Sequence, residues 1–566
     1  MFLTYENPVY EYTKSPDQNS LAPAHHPLVI VGAGPIGMGA ALDAHLQGIP
    51  AVVLDDNNTV SVGSRAVCYS KRALEILNRL GCARRMVEKG VTWKVGKVFF
   101  QDELVTSFDL LPEEGHEIPA FINLQQYYLE EYMVDGLKDS DNVEIRWKNK
   151  VVDVENHSAA GAQDGTDHQD KPITLTIETP DGPYQITTDW LIVADGANSS
   201  VRNMLDLAMR GKVFEDRFLI ADIVMKAEFP PERWFSFDPS YHPNQSTLLH
   251  RQSDNVWRLD FQLGWDKDPE EEKKPENIIP RVKAMMGEDV DFELEWASVY
   301  TFMCRRMDRF RQGRVIFAGD AAHQVSPFGA RGANSGLQDT DNLLWKLKLV
   351  MEGKAPDALI DSYCDEREYA ADENLLNSTR STDFITPKSK VSKLFRDSTL
   401  ELSKEYHFAQ KLVNSGRLSD AAFLTESVLN TADRDNFAGN MVPGAVMDDA
   451  PIEGDQQERW ALNVFGNRFQ LLYFIDNAST LDEQTAKQLS SLEQGDIPVQ
   501  AVVVATSGTA PQNLKTVIDI KGMLATRYDA QNGTCYLARP DQHVAARWRS
   551  FELPNVQKAV KTATCN

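Results

Sequence analysis

LVIVGAGPIGMGAALDAHLQGIPAVVLDD, residues 28–56, decides the fold. An apolar run ends in glycines, helical spacing continues from Pro35 to Gln47, and a second apolar run, PAVVLDD, follows at 50–56. Strand, glycine turn, helix, strand is a βαβ unit of about 30 residues and opens a parallel α/β sheet. Gly32-Ala33-Gly34-Pro35-Ile36-Gly37 is a GxGxxG in that setting. Gly32 allows the tight turn, Gly34 lets backbone approach a pyrophosphate, and Gly37 lets the helix pack closely on the strand. The N–H groups that open the helix then hold phosphate. Asp55 ends the second strand, eighteen residues after Gly37, where a carboxylate accepts from ribose hydroxyls. The motif predicts a bound dinucleotide and leaves NAD and FAD both open.

Two later turns repeat the pattern. Asp195-Gly196 follows the apolar WLIVA (190–194) and leads into ANSSVR, ending at Arg202. Gly319-Asp320 follows RVIFA (314–318) and leads into AAHQVSPFGARGANSG and a helix. Asp-Gly and Gly-Asp are ordinary turn dipeptides taken singly. Three glycine-flanked strand ends in this order point instead to backbone donors and carboxylates aimed at one long ligand.

Around these motifs the chain divides. Residues 1–26 read as a polar tail, and 27–204 as the first part of the dinucleotide-binding domain, with an exposed hairpin insert at 157–171. Residues 205–310, with strand-like RFLIADIVMKAEF and VWRLDFQLGW, read as a mostly antiparallel substrate-binding layer. The first domain resumes over 311–435 with a helical region, and 436–566 has its own strands and the length of an independent domain.

A net charge of −25 argues against a nucleic-acid partner, which needs a basic face. No run approaches the roughly 18 apolar residues of a membrane helix, and the amino terminus lacks a secretory signal's charged and apolar regions. The six cysteines are scattered without a CxxC, so neither a disulfide framework nor a metal site is expected. The expectation is a soluble, cytoplasmic, multidomain enzyme.

The three turns, with SRAVCYSKRALEILNRLG (64–81), INLQQYYLEEYM (122–133) and GDAAHQVSPFGARGANSGLQDTDNLLWKL (319–347), resemble the single-component FAD-dependent aromatic hydroxylases. The branch is that of phenol hydroxylase and 3-(3-hydroxyphenyl)propionate hydroxylase. The likeness covers most of residues 28–380. A weaker likeness at CYLARPDQHVAARW (535–548) extends it to that branch's thioredoxin-like C-terminal domain.

The resemblance implies a Rossmann-like FAD-binding domain of the GR2 type, an interleaved antiparallel β-sheet substrate domain and a thioredoxin-like C-terminal domain. It implies FAD as cofactor, NADH or NADPH as transient co-substrate, O2, and a small phenolic or hydroxyaromatic acid hydroxylated through a C4a-hydroperoxyflavin. Gly32, Gly34 and Gly37 would cradle the pyrophosphate, and Asp55 would bind the adenosine ribose. Arg65 would contact the phosphates or ribityl chain, and Gln126 would reach the ribityl chain. Asp195 would bind near the pyrophosphate, with Arg202 steadying that turn or assisting the nicotinamide nucleotide. Gly319 and Asp320 would bind the ribityl hydroxyls. Pro327 and the backbone of Gly332, Ala333 and Asn334 would lie beside the isoalloxazine.

The family's Pro-Pro is Ser326-Pro327 here, and Val67 stands where some phenol hydroxylases carry an acid. The base is therefore unassigned, with His250, Tyr241, Tyr300 and Arg217 as polar candidates in the substrate layer and His242 and His323 beside them. Cys535 and Cys565 are isolated, so the C-terminal domain reads as a structural module, for dimerisation (a homodimer is the candidate assembly) or lid support. A dehydrogenase would not need the second and third turns. A flavin halogenase would carry WxWxIP, which does not occur, and an interaction protein would explain only the C-terminus. The runner-up is a related flavoprotein oxygenase acting on a non-phenolic ring, by epoxidation or otherwise.

Overall fold

The computed structural model describes residues 4–156, 172–227, 229–413, 418–454, 458–511 and 514–566. The insert expected over 157–171 lies outside them. The chain forms two compact units, one of Met1–Pro112, Pro119–Gln338 and Ala371–Asp420, the other of Glu113–Ile118, Asp339–Ala370 and Ala421–Asn566.

In the first unit, strand Ala24–Val31, helix Pro35–Gln47 and strand Ala51–Leu54 make the βαβ start. Parallel strands run in the order Val315–Phe317, Tyr184–Val193, Ala24–Val31, Ala51–Leu54, Val143–Arg146. The stretches that lead into the turns, LVIV (28–31), AVVL (51–54), WLIV (190–193) and VIF (315–317), are continuously apolar because both faces are covered there, and Val29, Ile30, Leu191 and Ile192 are fully buried. Val31 pairs with Val193, and Val193 with Phe317. Three strands therefore end side by side, and the turns at Gly32, Asp195 and Gly319 leave the same edge of the sheet.

The second sheet has the order His323–Gln324, Glu293–Met307, Met209–Val224, Val256–Leu263, Ser246–Arg251, Arg233–Phe237, Val95–Phe100, Glu103–Asp109. It reaches beyond the layer expected at 205–310, because Arg233–Phe237 pairs in parallel with Val95–Phe100 and draws residues 95–109 in. Strand alternation separates its faces. Leu219, Leu249, Trp257 and Phe261 pack with Ile278 and Val282 of helix Pro275–Met286 on the far face. Phe218, Phe235, Leu248 and Phe302 cluster with Phe328 on the near face.

The amino-terminal segment is not a free tail. Tyr5 stacks on Tyr127 at 4.0 Å, Tyr10 stacks on Trp147 at 4.6 Å, and the Asn7 amide donates to the carbonyls of Val60 and Ser61. A polar composition hid two aromatic anchors whose stacking fixes the segment.

The second unit is built on a sheet ordered Glu453–Gly454, Lys515–Ile518, Val499–Ser507, Phe469–Asn477, Cys535–Ala538, Val544–Trp548. Helix Glu483–Ser491 links the parallel pair Phe469–Asn477 and Val499–Ser507, and helix Leu553–Ala563 follows the antiparallel pair at the other side. Leu471 and Val503 face one core, Leu472 and Val502 the other. The unit also encloses a charge network. Arg539 donates to Glu366 at 2.5 and 2.9 Å and to Asp541 at 2.5 and 3.0 Å, and the Lys346 ammonium sits 2.7 Å from Glu366. All four groups are fully buried. No helix among the described residues is long and apolar enough to cross a membrane.

Candidate active site

The first turn is sterically specified. A Cβ on Gly37 would stand 1.8 Å from the Gly32 carbonyl oxygen, and one on Gly32 would stand 2.5 Å from that of Ala194. One on Gly34 would meet nothing within 4 Å. The outer glycines are required by packing, and the middle one leaves backbone open toward a ligand. Asp55 accepts from the backbone N–H of Ala33 at 2.6 Å and of Asn57 at 2.8 Å, which locks the strand end to the glycine turn. Burial raises its carboxyl.

The second and third turns are tied together by Arg202. Its Nη1 donates to the Ala321 carbonyl at 2.9 Å and its Nη2 to that of Ala197 at 3.1 Å, which gives it a positioning role between the two. Asp195 accepts from Val201 N–H and Ser200 Oγ through Oδ2, whereas its Oδ1 is buried without a hydrogen-bond partner. Such an atom calls for a donor, and a hydroxylated ligand supplies one. Gly319 holds a φ of 60°, and the Asp320 carboxylate lies beside Gly332. Gly332 opens helix Gly332–Met351, so the N–H groups of Gly332, Ala333 and Asn334 precede its first intrahelical acceptors. They form a partly positive end suited to charge on a reduced flavin ring. Asn334 fixes that end by accepting from Ser70 N–H and donating to the carbonyl of Cys68.

Arg65 is exposed on a loop held from below: Gln126 accepts from Ala66 N–H at 3.0 Å and donates to Glu130 at 2.7 Å. Gln126 thus spends its amide on the loop that carries Arg65. Pro327 is exposed, while Phe328 behind it packs edge-on against Phe218 and Phe302 at 4.9 Å each.

These glycines, Asp195 Oδ1 and the helix start fit a dinucleotide ending in a flavin. A family model described as an FAD binding domain matches residues 25–378. The chain belongs to the FAD-binding-domain family. It is an FAD-dependent oxidoreductase. Among its relatives, a 3-(3-hydroxy-phenyl)propionate/3-hydroxycinnamic acid hydroxylase of Mycolicibacterium smegmatis is 23% identical, over 94% of this chain and 92% of its own. One of Escherichia coli K12 is 25% identical over 92% and 91%. Among solved structures, the flavin-dependent monooxygenase PieE, in complex with FAD and substrate, superposes with a TM-score of 0.75 at 21% identity, covering 96% of this chain and 99% of its own. Aklavinone-11 hydroxylase, with FAD and aklavinone, gives 0.73 at 19%, covering 96% and 100%.

In this flavoprotein the candidates from the substrate layer separate by strand parity. Arg217 pairs with Leu263 and so lies on the far face, where it donates to the carbonyls of Trp265 and Lys267 and stacks on the Trp265 ring. Tyr241 bonds Thr247 at 2.8 Å, and Thr247 pairs with the far-face Phe261, against which His242 also packs. Strand alternation places Arg217 on the far face, and Tyr241 and His242, in the turn between Arg233–Phe237 and Ser246–Arg251, lean on that same face through Thr247 and Phe261. Tyr300 pairs with Phe218 on the near face and is 39% exposed. His323 is buried against Phe310.

His250 belongs to a buried polar row that the sequence reading missed. His250 pairs with Arg258 and Arg258 with Asp222, while Arg233 comes from the neighbouring strand. Asp260 lies 3.5 Å from His250 Nε2 and 3.1 Å from Arg258 Nε, and Cys68 Sγ lies 3.8 Å from His250 Nδ1. Burial, helped by Arg233, lowers His250 to about 4, so the imidazole is neutral. Burial works against ionisation of Asp260, yet Arg258 and His250 hold it down at about 2. Burial lifts Asp222 to about 7, with Arg258 opposing. The signal was present as charges on alternate positions, Arg258 and Asp260, of an otherwise apolar strand.

Proposed function

We propose that the protein uses NADH or NADPH and O2 to hydroxylate a small phenolic or hydroxyaromatic acid. The carrying observation is the near face of the second sheet, an aromatic cluster that includes Phe328, next to the Pro327 expected beside the isoalloxazine, and ends in a buried charged row. The named activities of the relatives supply the substrate class. FAD supplies the two-electron chemistry that couples a nicotinamide to O2.

The chain's own residues bind, orient and exclude water. Gly32, Gly34 and Gly37 present backbone to the pyrophosphate, with Asp55 at the ribose end and Arg65 at the phosphates. Asp195 and Asp320 accept from ligand hydroxyls, and the N–H groups of Gly332, Ala333 and Asn334 face developing negative charge. Phe218, Phe302 and Phe328 keep the ring's surroundings dry. An imidazole drawn down to about 4 is a weak base, so His250 serves as a neutral acceptor. Asp222, near 7, has the acidity that a phenol's base requires. In the second unit, a βαβ followed by a ββα on one sheet supports the thioredoxin-like reading, and burial raising the Cys535 thiol supports a role without thiol chemistry.

The test is an absorbance spectrum followed by NAD(P)H oxidation with a panel of phenols and hydroxyaryl acids. The expected result is flavin bands near roughly 375 and 450 nm, with oxidation accelerated by one ring and matched by its hydroxylated product. A colourless protein that cannot be reconstituted with FAD, or accelerated oxidation that yields only peroxide, would overturn the proposal.

A further inference from the structure

Helix Lys390–Ser403, in the first unit, reverses the usual amphipathic order. Its inner face buries Arg396, Thr399 and Ser403 beside Leu400. Its outer face carries the apolar stripe: Val391 is 76% exposed and Leu394 67%, and Phe395 and Leu402 are exposed with them. A surface helix of a protein that stands alone turns such residues inward, because burial removes apolar area from water. The chain extends the same kind of surface past the helix, where Phe408 and Leu412 are exposed. So many outward apolar side chains in one short segment mark a face that something covers.

The order of residues along the stripe says what covers it. Lys390, Leu394, Ser398 and Leu402 recur every four residues and form one ridge. Glu405 ends the ridge, on a turn whose N–H still donates to the Leu402 carbonyl. Reversed about Ser398, the ridge matches itself: Leu394 exchanges with Leu402, and the basic end with the acidic end. Lys393 is tied to Asp397 at 2.7 Å, and Lys404 to Glu103 and Glu401 at 2.8 and 2.9 Å. Lys390 and Glu405 are exposed and have no ion-pair partner among the described residues. At about 1.5 Å per residue they stand roughly 22 Å apart, too far to meet within one chain. An anionic lipid surface would answer Lys390 and repel Glu405, whereas an antiparallel copy answers both. Ser398, small and exposed at the centre, lets two helices approach closely.

We infer that the outer face of helix Lys390–Ser403 is a two-fold contact between two copies of this chain. The helices run antiparallel about Ser398, with Leu394 of each against the partner's Leu402 and Lys390 of each beside the partner's Glu405. The contact lies in the first unit and not in the C-terminal domain, where the sequence reading set a dimer. Leu400 and Val413 reach from the same segment into the near-face aromatic cluster, so pairing also steadies a wall of that cluster.

The experiment is sedimentation velocity of the full FAD-loaded chain over a range of concentrations. The expected result is a reversible monomer–dimer equilibrium. Leu394→Glu should weaken the dimer by about 30-fold or more, the size of a central interface residue. Lys390→Glu and Glu405→Lys should each weaken it, and the double variant should regain most of the loss, because the exchanged pair meets only between copies. All four variants should keep the FAD content and melting temperature of the wild-type monomer, since each position is exposed. A wild-type chain that stays monomeric, a dimer untouched by Leu394→Glu, or a double variant no better than the single ones would overturn the inference. So would a monomer that co-sediments with phosphatidylglycerol vesicles and loses that binding in Leu394→Glu, which would assign the face to lipid.

Discussion

Two buried clusters of charge, one in each unit, are built on opposite principles. In the C-terminal unit, Arg539 and Lys346 face Glu366 and Asp541, two cations against two carboxylates, with the Asn342 amide donating to both carboxylates. In the first unit, Arg233 and Arg258 face Asp260, with His250 neutral, Asp222 held near 7, and the Arg233 Nε and Nη1 buried with no hydrogen-bond partner. The closed cluster satisfies itself, which is what a structural network requires. The open one keeps a donor in reserve, which weakens the fold and suits a ligand. The difference teaches that burial of charge marks a site only when the hydrogen-bond count is left incomplete.

The largest expected effect tests that distinction directly. Arg539→Met takes the guanidinium from Asp541 and leaves Glu366 with Lys346 alone, and should lower unfolding stability by about 3–5 kcal/mol in urea. Arg233→Met removes an unanswered cation, and the ligand-free protein should stay within about 1 kcal/mol of wild type. Equal losses in the two variants would erase the contrast and make both clusters structural.

A smaller effect reads Asp222. Its folded carboxyl titrates near 7 and its unfolded one near the ordinary ~4, so the folded chain holds more protons between those values. Stability therefore falls as pH rises through that window. Asp222→Asn abolishes the dependence, so wild type should lose about 2–3 kcal/mol relative to the variant between pH 5 and pH 8. A flat difference would mean that Asp222 is ionised throughout and that the open cluster is better balanced than described.

The smallest effect sharpens the boundary of the open cluster. Arg217→Ala, on the far face, should leave kcat/KM within about twofold of wild type, the size of an ordinary surface change. A loss beyond tenfold would return Arg217 to the pocket and break the parity assignment.

Much of the nucleotide half was legible beforehand, because its requirements are local. Gly37 answers to the Gly32 carbonyl five residues away, the GxGxxG spacing sits between its own strand and helix, and each later turn follows its own apolar strand; only the clash that bars a side chain at Gly32 comes from distant Ala194. The substrate half was legible only in composition. Whether Arg217 or Phe218 faces the flavin side is a matter of one residue of register, which is set by pairing with Leu263 and Tyr300 from distant strands. Arg233 drew no notice because nothing near it in the chain distinguishes an idle guanidinium from a paired one.

The sequence by itself determined the dinucleotide fold and the three turns, since each is a match between backbone conformation and residue type along a short stretch of chain, and its resemblance to a family supplied the cofactor. Only the tertiary structure decided which polar residues share the buried face, that Arg202 spans two turns, and that Arg233 lacks a partner. Those facts depend on strands brought together from far along the chain, and on a hydrogen-bond balance that exists only once burial has removed water.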